Sequence, residues 1–150
     1  MSKAFTREDV DPPERSGRMR SASGLPPGAI NYITARGARR LRAELEQTRA
    51  LSGTQERVAE LEQILASVTI VDPPEARSKD IAFGSTVTVE TPDRSLQTHT
   101  IVGVDELQFE SDAVSWVSPI GKALLAANIG DRVIVGDQRL GKIVSVKYRT

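Results

Sequence analysis

Cysteine is absent from the 150 residues, which excludes disulfides and thiolate metal sites. That fits a reducing compartment, and a cytoplasmic protein is expected. Histidine occurs once, as His99, in a β-rich run between Thr98 and Thr100. A lone imidazole with no second His or Cys is a poor metal-ligand set, so an ordinary strand residue is expected and no metal or cofactor. Aromatics number six: Phe5, Tyr32, Phe83, Phe109, Trp116 and Tyr148. They do not cluster as a stacking platform for single-stranded nucleic acid requires. No apolar run approaches the roughly 18–20 residues of a membrane span. The stretch Met1 to Pro13 is charged and has no apolar centre, unlike a secretory signal. Neither sign of charge is in excess, with 20 basic and 20 acidic residues. A general phosphate-binding surface is therefore not expected, although a local patch stays open. No glycine-rich phosphate loop and no Ser-His-Asp constellation is visible, so neither motif supplies a catalytic residue.

What is present falls into segments. Residues 1–30 are rich in Arg, Ser, Pro, Gly and acids and almost empty of clustered aliphatics. Such a stretch buries too little surface to offset its ordering entropy. It reads as a disordered or loosely ordered tail, or alternatively as a partner-binding arm using Arg15, Arg18 and Arg20. Residues 31–71 change character. Ala38, Leu41, Leu45 and Thr48, then Val58, Leu61, Leu65 and Val68, each repeat with the spacing of a coiled-coil seam. Leu51-Ser52-Gly53-Thr54 separates them: Gly53 suits a helix end, and Thr54 a new cap with Glu56 in the first turn. Thr34 is the expected cap of the first helix. A short connection makes the helices antiparallel, giving a helical hairpin with arms of roughly 16–17 residues, about 25 Å each.

Residues 72–78 contain Pro73-Pro74 and read as a linker. Residues 79–150 read as strands at Phe83 to Val89, Gln97 to Val104, Val114 to Val117, Asp131 to Val135 and Lys142 to Tyr148. One helix interrupts them, from the cap Ser118 and the N1 proline Pro119 through Ile120 to Ala127, ended by Asn128 and Gly130. The expected class is α+β.

Several words of the sequence resemble a known family. Phe83-Gly84-Ser85-Thr86-Val87-Thr88-Val89 resembles the opening strand of the C-terminal domain of GreA/GreB transcription elongation factors. Ile101-Val102-Gly103-Val104-Asp105-Glu106 looks like the family's next strand and acidic turn. Ser118-Pro119-Ile120-Gly121-Lys122-Ala123-Leu124-Leu125, followed by Ile129-Gly130-Asp131-Arg132-Val133, is the most specific stretch. Asn31-Tyr32-Ile33-Thr34 with Gly37, Leu41, Glu44 and Leu45 is similar to the first-helix signature. The resemblance covers about residues 31–150. It implies an FKBP-like C-terminal domain behind a coiled coil. It also implies docking on RNA polymerase at the secondary channel, through a surface including Asp105, Glu106, Ser118, Pro119 and Ile120. Arg36, Arg39, Arg40 and Arg42 match the family's basic coiled-coil patch and are candidates to face RNA; a solvated helix face paired with Glu44 and Glu46 is the other reading.

The family's mechanism places an acidic pair at the tip of a long coiled coil, where it helps hold a metal ion for transcript cleavage. Here the tip is Leu51-Ser52-Gly53-Thr54, and the nearest acids, Glu46 and Glu56, lie on the helix flanks. No catalytic residue carries over, and in its short stalk the chain resembles Rnk-type relatives. The leading expectation is a polymerase-binding regulator without the acids for cleavage. A genuine cleavage-stimulating factor is the alternative. A peptidyl-prolyl isomerase would follow only from analogy of fold.

Overall fold

A computed structural model describes residues 25–26, 28–51, 54–72 and 80–149. The tail arginines Arg15, Arg18 and Arg20, the turn residue Gly53 and the prolines Pro73 and Pro74 lie outside these residues.

The first helix, α1 (Ala35–Ala50), starts where a side chain can replace the missing helical acceptor. Thr34 is extended and its hydroxyl accepts from the Gly37 N–H. The second, α2 (Gln55–Ser67), begins in the same way, with Thr54 accepting from the Arg57 N–H and Glu56 in the first turn. The helices share one apolar cluster of Ile33, Ala38, Leu41, Leu45, Leu61 and Ile64. Ion pairs Glu44–Arg57 and Glu62–Arg49 tie them together on the outside. The expected seam shifts in α2. Ile64 is buried and Leu65 only partly, while Val68 has left the helix as its C-cap.

Two short strands flank this helix pair and were not expected. β1 (Tyr32–Thr34) pairs in parallel with β2 (Thr69–Val71), with Ile33 opposite Ile70. Residues 31–71 are therefore a strand–helix–helix–strand unit rather than helices alone.

The remaining strands form one sheet. β3 (Ser85–Glu90), β4 (Leu96–Val102), β5 (Ala113–Ser115), β6 (Arg132–Val135) and β7 (Gln138–Tyr148) lie in the order β5-β4-β3-β7-β6. Only the β4–β5 pairing is parallel. A 3-10 turn, Leu107–Phe109, lies between β4 and β5. Alternation decides the faces: Val87, Val89, Ile101, Val133, Leu140 and Ile143 point inward onto Leu124 of helix α3 (Pro119–Leu125). Ser118 caps α3 by accepting from the Gly121 N–H, and Pro119 follows at its start. The helix stops at Leu125, two residues before the expected Ala127, with Ala126 at its C-cap. Asn128 and Gly130 belong to the next turn, where Gly130 takes φ +97°. β7 is longer than expected, because bulges opposite Val133/Ile134 and Thr88/Val89 let it pair with β6 and β3 in turn. Among the described residues no helix is long and apolar enough to cross a membrane.

Candidate functional site

The acidic turn after β4 is where the helical unit meets the sheet. Gly103 leads into it, and a Cβ there would lie 1.9 Å from the Tyr32 carbonyl oxygen. Only a residue without a side chain lets β1 approach this closely. Glu106, three residues on, points inward and is 3% exposed. Its carboxylate accepts from the Thr34 N–H (2.8 Å), the Thr34 hydroxyl and the Gly103 N–H (2.9 Å). Thr34 thus has two roles: its hydroxyl donates to Glu106 and accepts from Gly37 at the start of α1. Gly37 is needed for the same contact, since a Cβ there would meet the Glu106 carboxylate. Burial pushes the Glu106 carboxyl above its ordinary value, against the pull of its hydrogen bonds and of Arg36. Next to it, Asp105 accepts from the Asn31 side-chain amide at 2.8 Å.

A second set of contacts lies one turn along α1. Arg36, 7% exposed, holds Glu110 through two donors, Nε at 2.7 Å and Nη2 at 3.1 Å. Arg40 and Arg149 reach the same carboxylate, and Arg149 continues to Asp112. Arg40 also lies over the Phe109 ring, and Phe109 packs against the apolar cluster of the helices. The hydrogen bond from Arg36, aided by Arg149 and opposed by burial, holds the Glu110 carboxyl down at about 2. For Asp112, burial raises the carboxyl, but Arg149 and Thr98 outweigh it and the group also lies at about 2.

The third part is the start of α3. Ser118 donates to the Ser115 carbonyl and accepts from Gly121. Its neighbours are joined to the junction through aromatic rings: Trp116 stands edge-on to Tyr32 at 5.2 Å, and Tyr32 contacts Phe83 at 5.8 Å. Pro119 is exposed, and Ile120 is half-buried against the sheet core.

The expected site residues therefore separate. Glu106 is a correction to the expected docking surface: it is buried, and its oxygens are turned into the protein toward Thr34, 72 residues earlier in the chain. Asp105, Ser118, Pro119 and Ile120 keep accessible surface. The basic run divides too. Arg36 and Arg40 are drawn onto Glu110, whereas Arg39 and Arg42, exposed like Arg40, make no ion pair among the described residues. Neither pairs with Glu44 or Glu46, which are held by Arg57 and Arg49. Asn31 was read only as part of the first-helix signature, and Glu110, Asp112 and Arg149 were not picked out in the sequence, where nothing local marks a carboxylate whose partner is 74 residues away. A cavity of about 290 Å³ opens beside the junction, bordered by Arg36, Arg39, Asp72, Phe83 and Arg149, with both signs of charge at its wall. His99 is half-buried on β4 opposite Val87, and burial lowers its pKa. No group of three or more His, Asp or Glu side chains that could hold a metal gathers among the described residues.

The family described as "Transcription elongation factor, GreA/GreB, C-term" matches residues 76–148. The chain is 39% identical over 87 residues to transcription elongation factor GreA of Nautilia profundicola, covering 56% of this chain and 52% of that protein. It is 30% identical over 125 residues to transcription elongation factor GreB of Neisseria meningitidis serogroup B, covering 79% of this chain and 76% of that protein. The match thus spans about half of the first relative and about three-quarters of the second. Among solved structures, a transcription elongation factor GreA/GreB from Nitrosomonas europaea superposes with a TM-score of 0.42 at 28% identity, over 79% of this chain and 99% of that one.

Proposed function

Since this chain belongs to the GreA/GreB family of transcription elongation factors, we propose that it binds RNA polymerase at the secondary channel and lacks the acids that stimulate transcript cleavage. In this reading residues 79–150 are a Gre-type, FKBP-like docking domain, joined by residues 72–78 to a short coiled-coil hairpin, α1 and α2, within the strand-flanked unit of residues 31–71. The protein works in the cytoplasm as a regulator rather than as an enzyme. Asp105, Ser118, Pro119 and Ile120 form the docking edge, and Arg39 and Arg42 supply the part of the basic patch turned toward RNA.

The observation that carries the reading is the tip. Leu51 is 80% exposed and begins a connection, Leu51-Ser52-Gly53-Thr54, that has no carboxylate. A divalent ion poised for phosphoryl transfer needs hard oxygen ligands. Glu46 is engaged by Arg49, and Glu56 stands alone in the first turn of α2. With 16 residues, α1 is about 24 Å long at 1.5 Å per residue, shorter than the long coiled coil that the family resemblance implies for cleavage factors.

Competition for core RNA polymerase tests the docking. The protein is expected to displace a labelled full-length Gre factor. Pro119→Glu combined with Asp105→Arg should weaken this about tenfold or more, equal to about 1.4 kcal/mol. Leu51→Ala should leave it unchanged. Failure of the unaltered protein to displace the factor at any concentration would contradict the proposal.

A further inference from the structure

Apart from Arg39 and Arg42, the arginines of the helical unit and the junction are neutralised. Arg36, Arg40, Arg49, Arg57 and Arg149 each hold a carboxylate. The far edge of the sheet does the opposite. Arg132 on β6 is the register partner of Lys142 on β7, and Ile134 is the partner of Arg139. Lys142 in turn faces Glu90, and Lys147 faces Thr86, both on the side of β3 turned away from Val87 and Val89. Directly opposed residues of an antiparallel pair share a face. So Arg132, Arg139, Lys142 and Lys147 stand on one side of the sheet, opposite the side that α3 covers.

All four cations are exposed, and among the described residues none makes an ion pair or a side-chain hydrogen bond. Glu90 is in register with Lys142 yet forms no ion pair with it, and Asp131 accepts from the Asn128 N–H instead. Two apolar side chains interrupt the cations: Ile134, 60% exposed, and Val144, exposed at the β7 bulge.

We infer that this β6–β7 face binds an acidic, amphipathic protein segment, which on the proposed function is an acidic helix or strand of RNA polymerase outside the Asp105–Pro119 edge. The inference rests on that functional reading. Charge complementarity sets the sign of the partner, because like charges held close without counter-ions gain from an anionic surface. The apolar pair sets its class. Phosphate backbones offer nothing to bury Ile134 and Val144, and aromatic rings that would stack bases are lacking on this face. An acidic segment with an apolar stripe buries both and pairs the cations at its rim. From Arg139 to Lys147 the strand extends about 27 Å at roughly 3.4 Å per residue, the length of about five helical turns. Ser118 follows β5 at the opposite edge of the sheet, so the two surfaces would grip different parts of the partner.

The test measures affinity for core RNA polymerase against salt, alongside affinity for a duplex DNA. The triple change Arg132→Glu, Arg139→Glu and Lys142→Glu is expected to lose about tenfold or more in polymerase affinity at low salt, and to flatten its salt dependence. The milder triple change to Gln should fall between, and Ile134→Ala should weaken binding without altering the salt slope. If the unaltered protein binds polymerase and the triple Glu variant, still folded by circular dichroism, binds equally well at every salt, this inference is wrong and the functional proposal stands. If the unaltered protein does not bind polymerase, both fall. Loss of duplex binding with polymerase affinity unchanged would make the face a nucleic-acid site and overturn the inference.

Discussion

Glu106→Ala is expected to destabilise the protein by about 3 kcal/mol, lowering the melting temperature by roughly 6–12 °C for a chain of this size. The change strands the N–H groups of Thr34 and Gly103 in a buried site and removes the acceptor of the Thr34 hydroxyl. Buried donors without partners lose their hydration with no return, whereas an exposed glutamate could be truncated at almost no cost. Glu106→Gln separates the explanations. Its amide oxygen can still accept from both N–H groups, and the Thr34 hydroxyl can turn to accept from the amide, so a loss of about 1 kcal/mol is expected. Thermal and urea unfolding of both variants measure this. An unchanged Glu106→Ala protein would mean that the carboxylate faces water and is a surface group after all.

Glu110→Ala should cost a similar amount, about 3 kcal/mol, for a different reason. It leaves the Arg36 guanidinium buried with only the Arg149 carbonyl as partner. Acid should act on the same contact. The Glu110 carboxyl lies at about 2, well below its ordinary value of 4.5. An acid with a depressed folded value contributes stability above its unfolded value and loses it as pH falls through the folded one. The loss should therefore run from about pH 5 down to about 2, and be at most about 3 kcal/mol. Asp112 acts in the same direction over the lower part of that range. Glu106 acts in the opposite sense, because its raised value favours the folded form when protonated. Melting temperature followed against pH should fall less steeply for Glu110→Gln than for the unaltered protein. Parallel curves would show that Arg36 draws no stability from this carboxylate.

These two carboxylates also mark where sequence reasoning stops. Local chemistry was legible. Thr34, Thr54 and Ser118-Pro119 start their helices as read, because a cap depends on residues within one turn. The strand over Ser85–Glu90 and the alternation in β7 were legible for the same reason. The family was legible because several separate words agree along residues 31–150. Contacts between distant residues were not. Three residues at Tyr32–Thr34 carry no strand periodicity of their own, and become a strand only because Thr69–Val71 lies beside them. In α2, Ile64 and Leu65 are adjacent aliphatics, and the shared cluster decides which is buried. Glu106 reads as a surface acid until Thr34 is brought to it. Similarly, nothing in Arg36-Gly37-Ala38-Arg39-Arg40 separates the two arginines held by Glu110 from the one that pairs with no carboxylate.

The junction has a consequence for the proposed function. Docking by the sheet domain would be transmitted to the helices through Glu106, Glu110 and Phe109 rather than through a loose tether. On the proposed function, what the helices would bring to the polymerase is their tip, which carries the exposed Leu51 and no carboxylate.

RNA cleavage in a backtracked transcription complex, measured with and without a full-length Gre factor present, tests that claim most directly. The account predicts no stimulation by this protein alone and progressive loss of the full-length factor's activity as it is added. Cleavage stimulated by this protein alone, and abolished by Glu56→Ala, would contradict it.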